Sequence, residues 1–137
     1  MAFAGGCYCG EVRYECDGSI LMRGLCFCLT CQKISGGAGN MFIGVMGDKF
    51  RFTKGTVKEF AQTPGSPTRS FCGMCGVHLI SRSPKAPEGV LIRVGTMDDP
   101  GLYEGPQVVV WTSEMQAFHQ LPPNVPAHPQ FPKPPKG

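Results

Sequence analysis

Seven of the eight cysteines in this 137-residue chain fall into three short groups: Cys7-Tyr8-Cys9, Cys26-Phe27-Cys28-Leu29-Thr30-Cys31 and Cys72-Gly73-Met74-Cys75. Thiols so spaced pose a choice between disulfides and a shared metal, and either one ties distant parts of a chain together. Two residues between cysteines let both sulfurs reach one ion about 2.3 Å away at tetrahedral angles, the chelating knuckle of zinc sites. Gly76, directly after Cys75, permits the tight backbone turn that lets N–H groups point at a sulfur. The C-x-C pairs can likewise present two sulfurs to one ion across a turn.

Compartment bears on the choice. The opening residues, Met1-Ala2-Phe3-Ala4-Gly5-Gly6, carry no basic region and no apolar run of about 7–15 residues, so no signal peptide is expected. The expectation is an intracellular, cytoplasmic location, where thiols stay reduced and clustered cysteines favour metal over pairing. No stretch approaches the ~18 apolar residues of a membrane span, so no membrane partner is expected. The formal charge of +3 comes with no Lys/Arg run, and no nucleic-acid partner is expected. Ionising the seven clustered thiols and binding two divalent ions would bring that charge to zero.

The length fits one domain with a core of its own. The pattern between the cysteines is strand-like. Residues 11–16 alternate strictly between polar and apolar, the mark of a strand with one buried face, and Cys16 continues the apolar side of Val12 and Tyr14 as a small core residue. Further strands are expected over 20–25, 41–46, 49–53, 57–63, 68–71, 77–82, 90–97 and 108–112, with a hairpin about Gly47-Asp48. One short helix is expected over 29–34, with Thr30 as its N-cap and Gly36-Gly37 as its stop. Residues 121–137 contain seven prolines and read as an extended tail. The fold class expected is therefore mainly β: a single domain over 1–120 built from short antiparallel strands with very little helix, followed by the proline-rich tail.

Pairing Cys7 and Cys9 with Cys72 and Cys75 gives a closed four-cysteine site, the form of structural zinc. Cys26, Cys28 and Cys31 then remain as three thiols with one position open, the layout of catalytic zinc. Spacing alone also permits the middle triplet plus one outside cysteine, disulfides among the outer four, or a metal-free redox pair of Cys28 and Cys31. His78 follows the second knuckle in an alternating strand, as an ordinary strand residue or a further ligand. His119 and His128 read as surface residues.

The run Gly6-Cys7-Tyr8-Cys9-Gly10-Glu11-Val12-Arg13-Tyr14, then Cys26-x-Cys28-x-x-Cys31-x-Lys33-x-Ser35-Gly36, then Phe71-Cys72-x-x-Cys75-Gly76, resembles the glutathione-dependent formaldehyde-activating enzyme family. The resemblance runs in order over about residues 5–120. That domain also occurs in centromere protein V. It implies a β-tent zinc fold, with Cys7, Cys9, Cys72 and Cys75 on structural zinc and Cys26, Cys28 and Cys31 on catalytic zinc. Departures fall beside the triplet: Phe27 stands where members commonly carry His, and Gln32 where a basic residue often follows the third cysteine, with Lys33 retained. Toward the C-terminus, Val109-Val110-Trp111 and Phe118 replace a His-Ile-aromatic strand and a later Trp.

The activity implied is that of a carbon–sulfur lyase. A small-molecule thiol, glutathione as co-substrate, would lose its proton at the open position of zinc and add to formaldehyde or another small aldehyde, giving S-hydroxymethylglutathione. Lys33 would steady the developing alkoxide. The alternative is a non-catalytic zinc module that binds glutathione or another thiol as carrier or sensor; Phe27 and Gln32 favour it. Two zinc ions per chain are expected, the second held by fewer ligands and more easily lost.

Overall fold

The structure is a computed structural model and describes residues 2–132. In chain order its elements are β1 (Phe3–Gly6), β2 (Arg13–Cys16), β3 (Met22–Cys26), α1 (Leu29–Ile34), β4 (Asn40–Met46), β5 (Phe50–Lys54), β6 (Val57–Phe60), β7 (Thr68–Cys72), β8 (His78–Ser83), β9 (Ala86–Arg93) and β10 (Val108–Val110). Single turns of 3-10 helix fill several joints. The class is mainly β with one short helix, as the alternation in the sequence predicts. No helix among the described residues is long and apolar enough to cross a membrane.

Two compact units share the chain, one formed by residues up to 22 with 42–103, the other by 23–41 with residues from 104 onward. In the first, β1, β2 and β5 make an antiparallel sheet in that order. The antiparallel strands β4, β9, β8, β7 and β6 follow one another in a second. The alternation of β2 does what its pattern requires: Tyr14 and Cys16 are fully buried while Glu15 is exposed. They join Val12, Ile43, Val45, Phe50, Leu79, Ile80 and Ile92 in one core, so Cys16 is a core residue. The Tyr14 hydroxyl donates to Thr96 Oγ1 at 2.9 Å, and Thr96 in turn donates to the Arg93 carbonyl at 2.7 Å, which satisfies both buried hydroxyls. Gly5 on β1 lies so close that a Cβ there would overlap the Tyr14 ring and the Thr96 carbonyl.

In the second unit β10 pairs with β3 in parallel, Val109 opposite Leu25 and Val110 opposite Cys26. Leu25, Phe27 and Val109 form its small core, with Met115 and Val125 packed against them. Part of the proline-rich segment runs beside β10. Val109 N–H donates to the Pro126 carbonyl and His128 N–H to the Val109 carbonyl, each at 2.9 Å. The expected tail also takes in residues 133–137, which lie outside the described residues.

Several local expectations shift. The Gly47-Asp48 hairpin is absent: Gly47–Lys49 is a 3-10 turn that carries the chain from one sheet to the other, with β4 paired to β9 and β5 to β2. A primed hairpin turn needs positive φ, and Gly47 is not among the positive-φ residues. β4 is buried through Phe42, Ile43, Gly44 and Val45, so its apolar run marks a central strand rather than one arm of an exposed hairpin. β9 ends at Arg93, and residues 94–96 turn as 3-10 helix. β1 escapes a pattern search because Ala4, Gly5 and Gly6 offer no apolar alternation. β10 is parallel to β3, not antiparallel, because residues 27–107 intervene and no hairpin constrains the pair.

Candidate metal centres

The first cluster is assembled by two similar turns. After β1, Cys7 N–H donates to the Val12 carbonyl at 3.1 Å, and Val12 N–H donates back to Cys7 Sγ at 3.2 Å. After β7, Cys72 N–H donates to the Val77 carbonyl, and the amides of Met74 and Cys75 point at Cys72 Sγ from 3.3 and 3.4 Å. Gly76 closes this knuckle at φ 78°, a left-handed conformation that Gly adopts without strain. The turns bring Cys7, Cys9, Cys72 and Cys75 together, with all four sulfurs within 4.8 Å of one another. Cys7 and Cys9 sulfurs are 3.6 Å apart, and those of Cys9 and Cys72 3.8 Å. A tetrahedron with arms of about 2.3 Å has edges of about 3.8 Å, so the donor set fits a zinc ion.

The electrostatics of these thiols agree with a cation site. Amides of Val77 and Cys9 hold the Cys75 thiol down at about 6. Cys9 is pushed up to about 12: the Glu11 amide favours its thiolate, but desolvation and the sulfurs of Cys7, Cys72 and Cys75 outweigh it. Cys7 is lowered, since the Val12 amide and the sulfurs of Cys9 and Cys72 outweigh the cost of its desolvation. Neighbouring thiols thus divide a negative charge that a divalent cation would let all four carry.

The second cluster lies at the end of β3 and in α1. The sulfurs of Cys26, Cys28 and Cys31 also lie within 4.8 Å of one another. Cys26 and Cys31 are buried and Cys28 half-buried. The N-cap of α1 is Cys28 and not Thr30: its Sγ accepts the Cys31 amide at 3.3 Å, which bends the chain so that both sulfurs face one point. The hydrogen-bonded sulfurs of Cys28 and Cys31, followed by burial, push the Cys26 thiol far up. None of the eight cysteines is disulfide-bonded. Three such sulfurs, with no fourth His, Cys, Asp or Glu ligand atom grouped with them among the described residues, fit a three-ligand cation site.

Other residues surround the triplet. Gln32 Nε2 donates to the Phe27 carbonyl at 2.7 Å and to the Glu114 carbonyl at 2.8 Å. Phe27 is buried, its ring 4.8 Å from that of His119. His119 Nε2 donates to the Gly37 carbonyl, and Nδ1 accepts the Gln116 amide at 2.9 Å, so His119 is a packed residue and not a surface one. Lys33 is exposed, two positions beyond Cys31, a spacing that puts the two side chains on different helix faces. His78 belongs to neither cluster. Its Nδ1 lies 3.2 Å from Arg93 Nη1, and burial, with Arg93 and Arg69 nearby, pushes it down to about 4. The contribution of Glu114 had no signal in the sequence, since nothing in its surroundings marks it as a neighbour of Cys28.

A mainly β chain with one cluster of four sulfurs and one of three defines a cysteine-rich metal-binding class of protein. Residues 2–114 match the family described as glutathione-dependent formaldehyde-activating enzyme, and the chain belongs to that family. A crystal structure of a Rhodobacter sphaeroides protein shares the fold, with a TM-score of 0.59 and 19% identity over 69% of this chain and 87% of that one. No curated protein matches the chain significantly.

Proposed function

We propose that the protein is a zinc-dependent carbon–sulfur lyase handling the adduct of glutathione with formaldehyde or another small aldehyde. The observation that carries this reading is the second cluster: the sulfurs of Cys26, Cys28 and Cys31 lie within 4.8 Å of one another, in a chain of the formaldehyde-activating family. Cys7, Cys9, Cys72 and Cys75 hold a structural ion, and Cys26, Cys28 and Cys31 hold the catalytic one. A zinc ion held by Cys26, Cys28 and Cys31 would favour the thiolate form of an incoming thiol.

The chain's own groups supply the rest. Cys26 and Cys31 are buried, and Cys28 is the more accessible of the three thiols. Phe27, packed against His119, and Gln32, bonded to two carbonyls, keep the loop from rearranging as substrate arrives. In the reaction the thiol gives its proton to water, its sulfur bonds to the aldehyde carbon, the carbonyl pair moves to oxygen, and the alkoxide takes a proton back from water, so that thiol and aldehyde sum to the hydroxymethyl thioether. Lys33, exposed on α1, is the cation proposed to steady that alkoxide.

A second reading, a non-catalytic module that carries or senses a thiol, is favoured by the same two residues. Phe27 is buried and the Gln32 amide is committed to the backbone, so neither offers a proton to a substrate. Exchange of formaldehyde with glutathione, followed by NMR, separates the two. A rate above the spontaneous one supports the enzyme. Zinc-dependent glutathione binding with no acceleration supports the carrier for this substrate. Metal analysis without chelator tests the sites: two zinc ions per chain are expected, and one zinc with a disulfide in the triplet would exclude catalytic zinc.

A further inference from the structure

We propose that Glu114 is a positioning residue for the three-cysteine loop, through a hydrogen bond from the Leu29 amide to its carboxylate and one from Gln32 to its carbonyl. The inference rests on the reading that the triplet holds a metal.

The loop from Phe27 to Gln32 carries Cys28 and Cys31 and little apolar anchorage at its turn, where Leu29 is 51% exposed. Polar contacts therefore set its shape. Leu29 N–H, next to Cys28, is one of the first amides of α1 and lacks a partner within the helix. Glu114 Oε1 accepts it at 3.0 Å. From the far end of the loop, Gln32 Nε2 bridges the Phe27 and Glu114 carbonyls, and Gln116 Nε2 supports the Gln32 Oε1 at 3.3 Å. One residue thus grips the loop at both ends, by side chain at Leu29 and by main chain at Gln32.

The backbone that delivers Glu114 is itself constrained. Trp111, directly after β10, lies at φ 60° and ψ 40°, a left-handed conformation that bulky residues avoid and that persists only where the surroundings over-determine it. The turn it starts, Thr112–Glu114, is tied from the other side, Thr112 N–H donating to the His128 carbonyl at 3.1 Å and Ser113 Oγ to the Pro129 carbonyl at 2.6 Å. Outer groups that orient metal ligands typically change metal affinity about 10–100-fold when lost.

The test uses protein whose four-cysteine cluster carries zinc and whose triplet has been emptied by a competing chelator. It is titrated with cobalt(II), whose thiolate charge-transfer absorption reports the number and arrangement of sulfurs. Wild type takes up one cobalt. Glu114→Asp keeps the charge but falls short of the Leu29 amide, and binds cobalt about tenfold more weakly or worse, with an altered absorption band. Glu114→Gln keeps the acceptor and restores wild-type affinity and spectrum. Circular dichroism spectra and melting curves matching wild type show that both variants are folded. Glu114→Asp titrating like wild type overturns the proposal, and so does Glu114→Gln binding as weakly as Glu114→Asp. A wild type that takes up no cobalt removes the metal reading of the triplet and this inference with it. Wild-type uptake with an unaffected Glu114→Asp removes the inference alone.

Discussion

Cys9 and Cys72 stand 63 residues apart in the chain, and their sulfurs lie 3.8 Å apart. An ion held there would join the turn after β1 to the knuckle after β7. Structural zinc contributes roughly 10–16 kcal/mol of apparent binding energy at neutral pH, as much as the ~5–15 kcal/mol that stabilises a typical domain. Cys72→Ser is therefore expected to lose that metal and most of the cooperative thermal transition, read by metal analysis and circular dichroism.

Cys28→Ser should behave differently. The triplet has three ligands instead of four, all from residues 26–31. The variant is expected to carry one zinc instead of two and to keep the wild-type fold. Should its melting curve collapse as that of Cys72→Ser does, the division into structural and catalytic sites is wrong.

Gly5→Ala tests the packing beneath the first cluster. Its Cβ would meet the Thr96 carbonyl and the Tyr14 ring, and a backbone carbonyl cannot swing aside. Overpacking of this kind costs about 1–3 kcal/mol, so the urea midpoint should fall clearly. Gly65→Ala, where no atom lies within 4 Å of the added carbon and φ is not positive, should leave it nearly unchanged.

His78 gives a pH dependence of definite sign. Its folded-state value is about 4 against 6.5 for the free residue, lowered by burial with Arg93 and Arg69 nearby. Between those values the unfolded chain binds the proton and the folded one does not. Stability from this residue is fully present above about pH 6.5 and falls as pH drops toward 4, by at most ~1.4 kcal/mol per pH unit for one proton. His78→Gln removes the titration. Urea melts at pH 7 and pH 4.5 should show a smaller acid loss for the variant than for wild type; equal losses would refute the assignment.

The strand content and the short helix were legible because their periodicities are local: β2 declares its buried face in four residues, and α1 ends at its glycines. The grouping of cysteines was partly legible, since knuckle spacing marks a pair but not its partner pair; the second pair is found only when β1 and β7 come together. Pairing partners were less visible. Nothing near Gly47 says that β4 and β5 enter different sheets, and nothing near Val109 says that β10 lies parallel to β3. The roles of Gln32, His119 and Glu114 depend on contacts between residues near 30 and residues near 115, which no local pattern encodes.

Lys33 tests the chemistry proposed for the second cluster. It is exposed on α1, so replacing it should not disturb folding or zinc content. If its ammonium steadies the alkoxide as the carbon–sulfur bond forms, Lys33→Ala should lower the rate of glutathione–formaldehyde exchange by about tenfold, near 1.4 kcal/mol of barrier. Lys33→Arg should recover most of the rate, because a mobile cation at that position suffices. The spectrum of cobalt bound at the triplet should be the same in all three proteins. An unchanged exchange rate in Lys33→Ala would remove Lys33 from the mechanism and leave the sulfur-bound ion and the loop around it to carry the reaction.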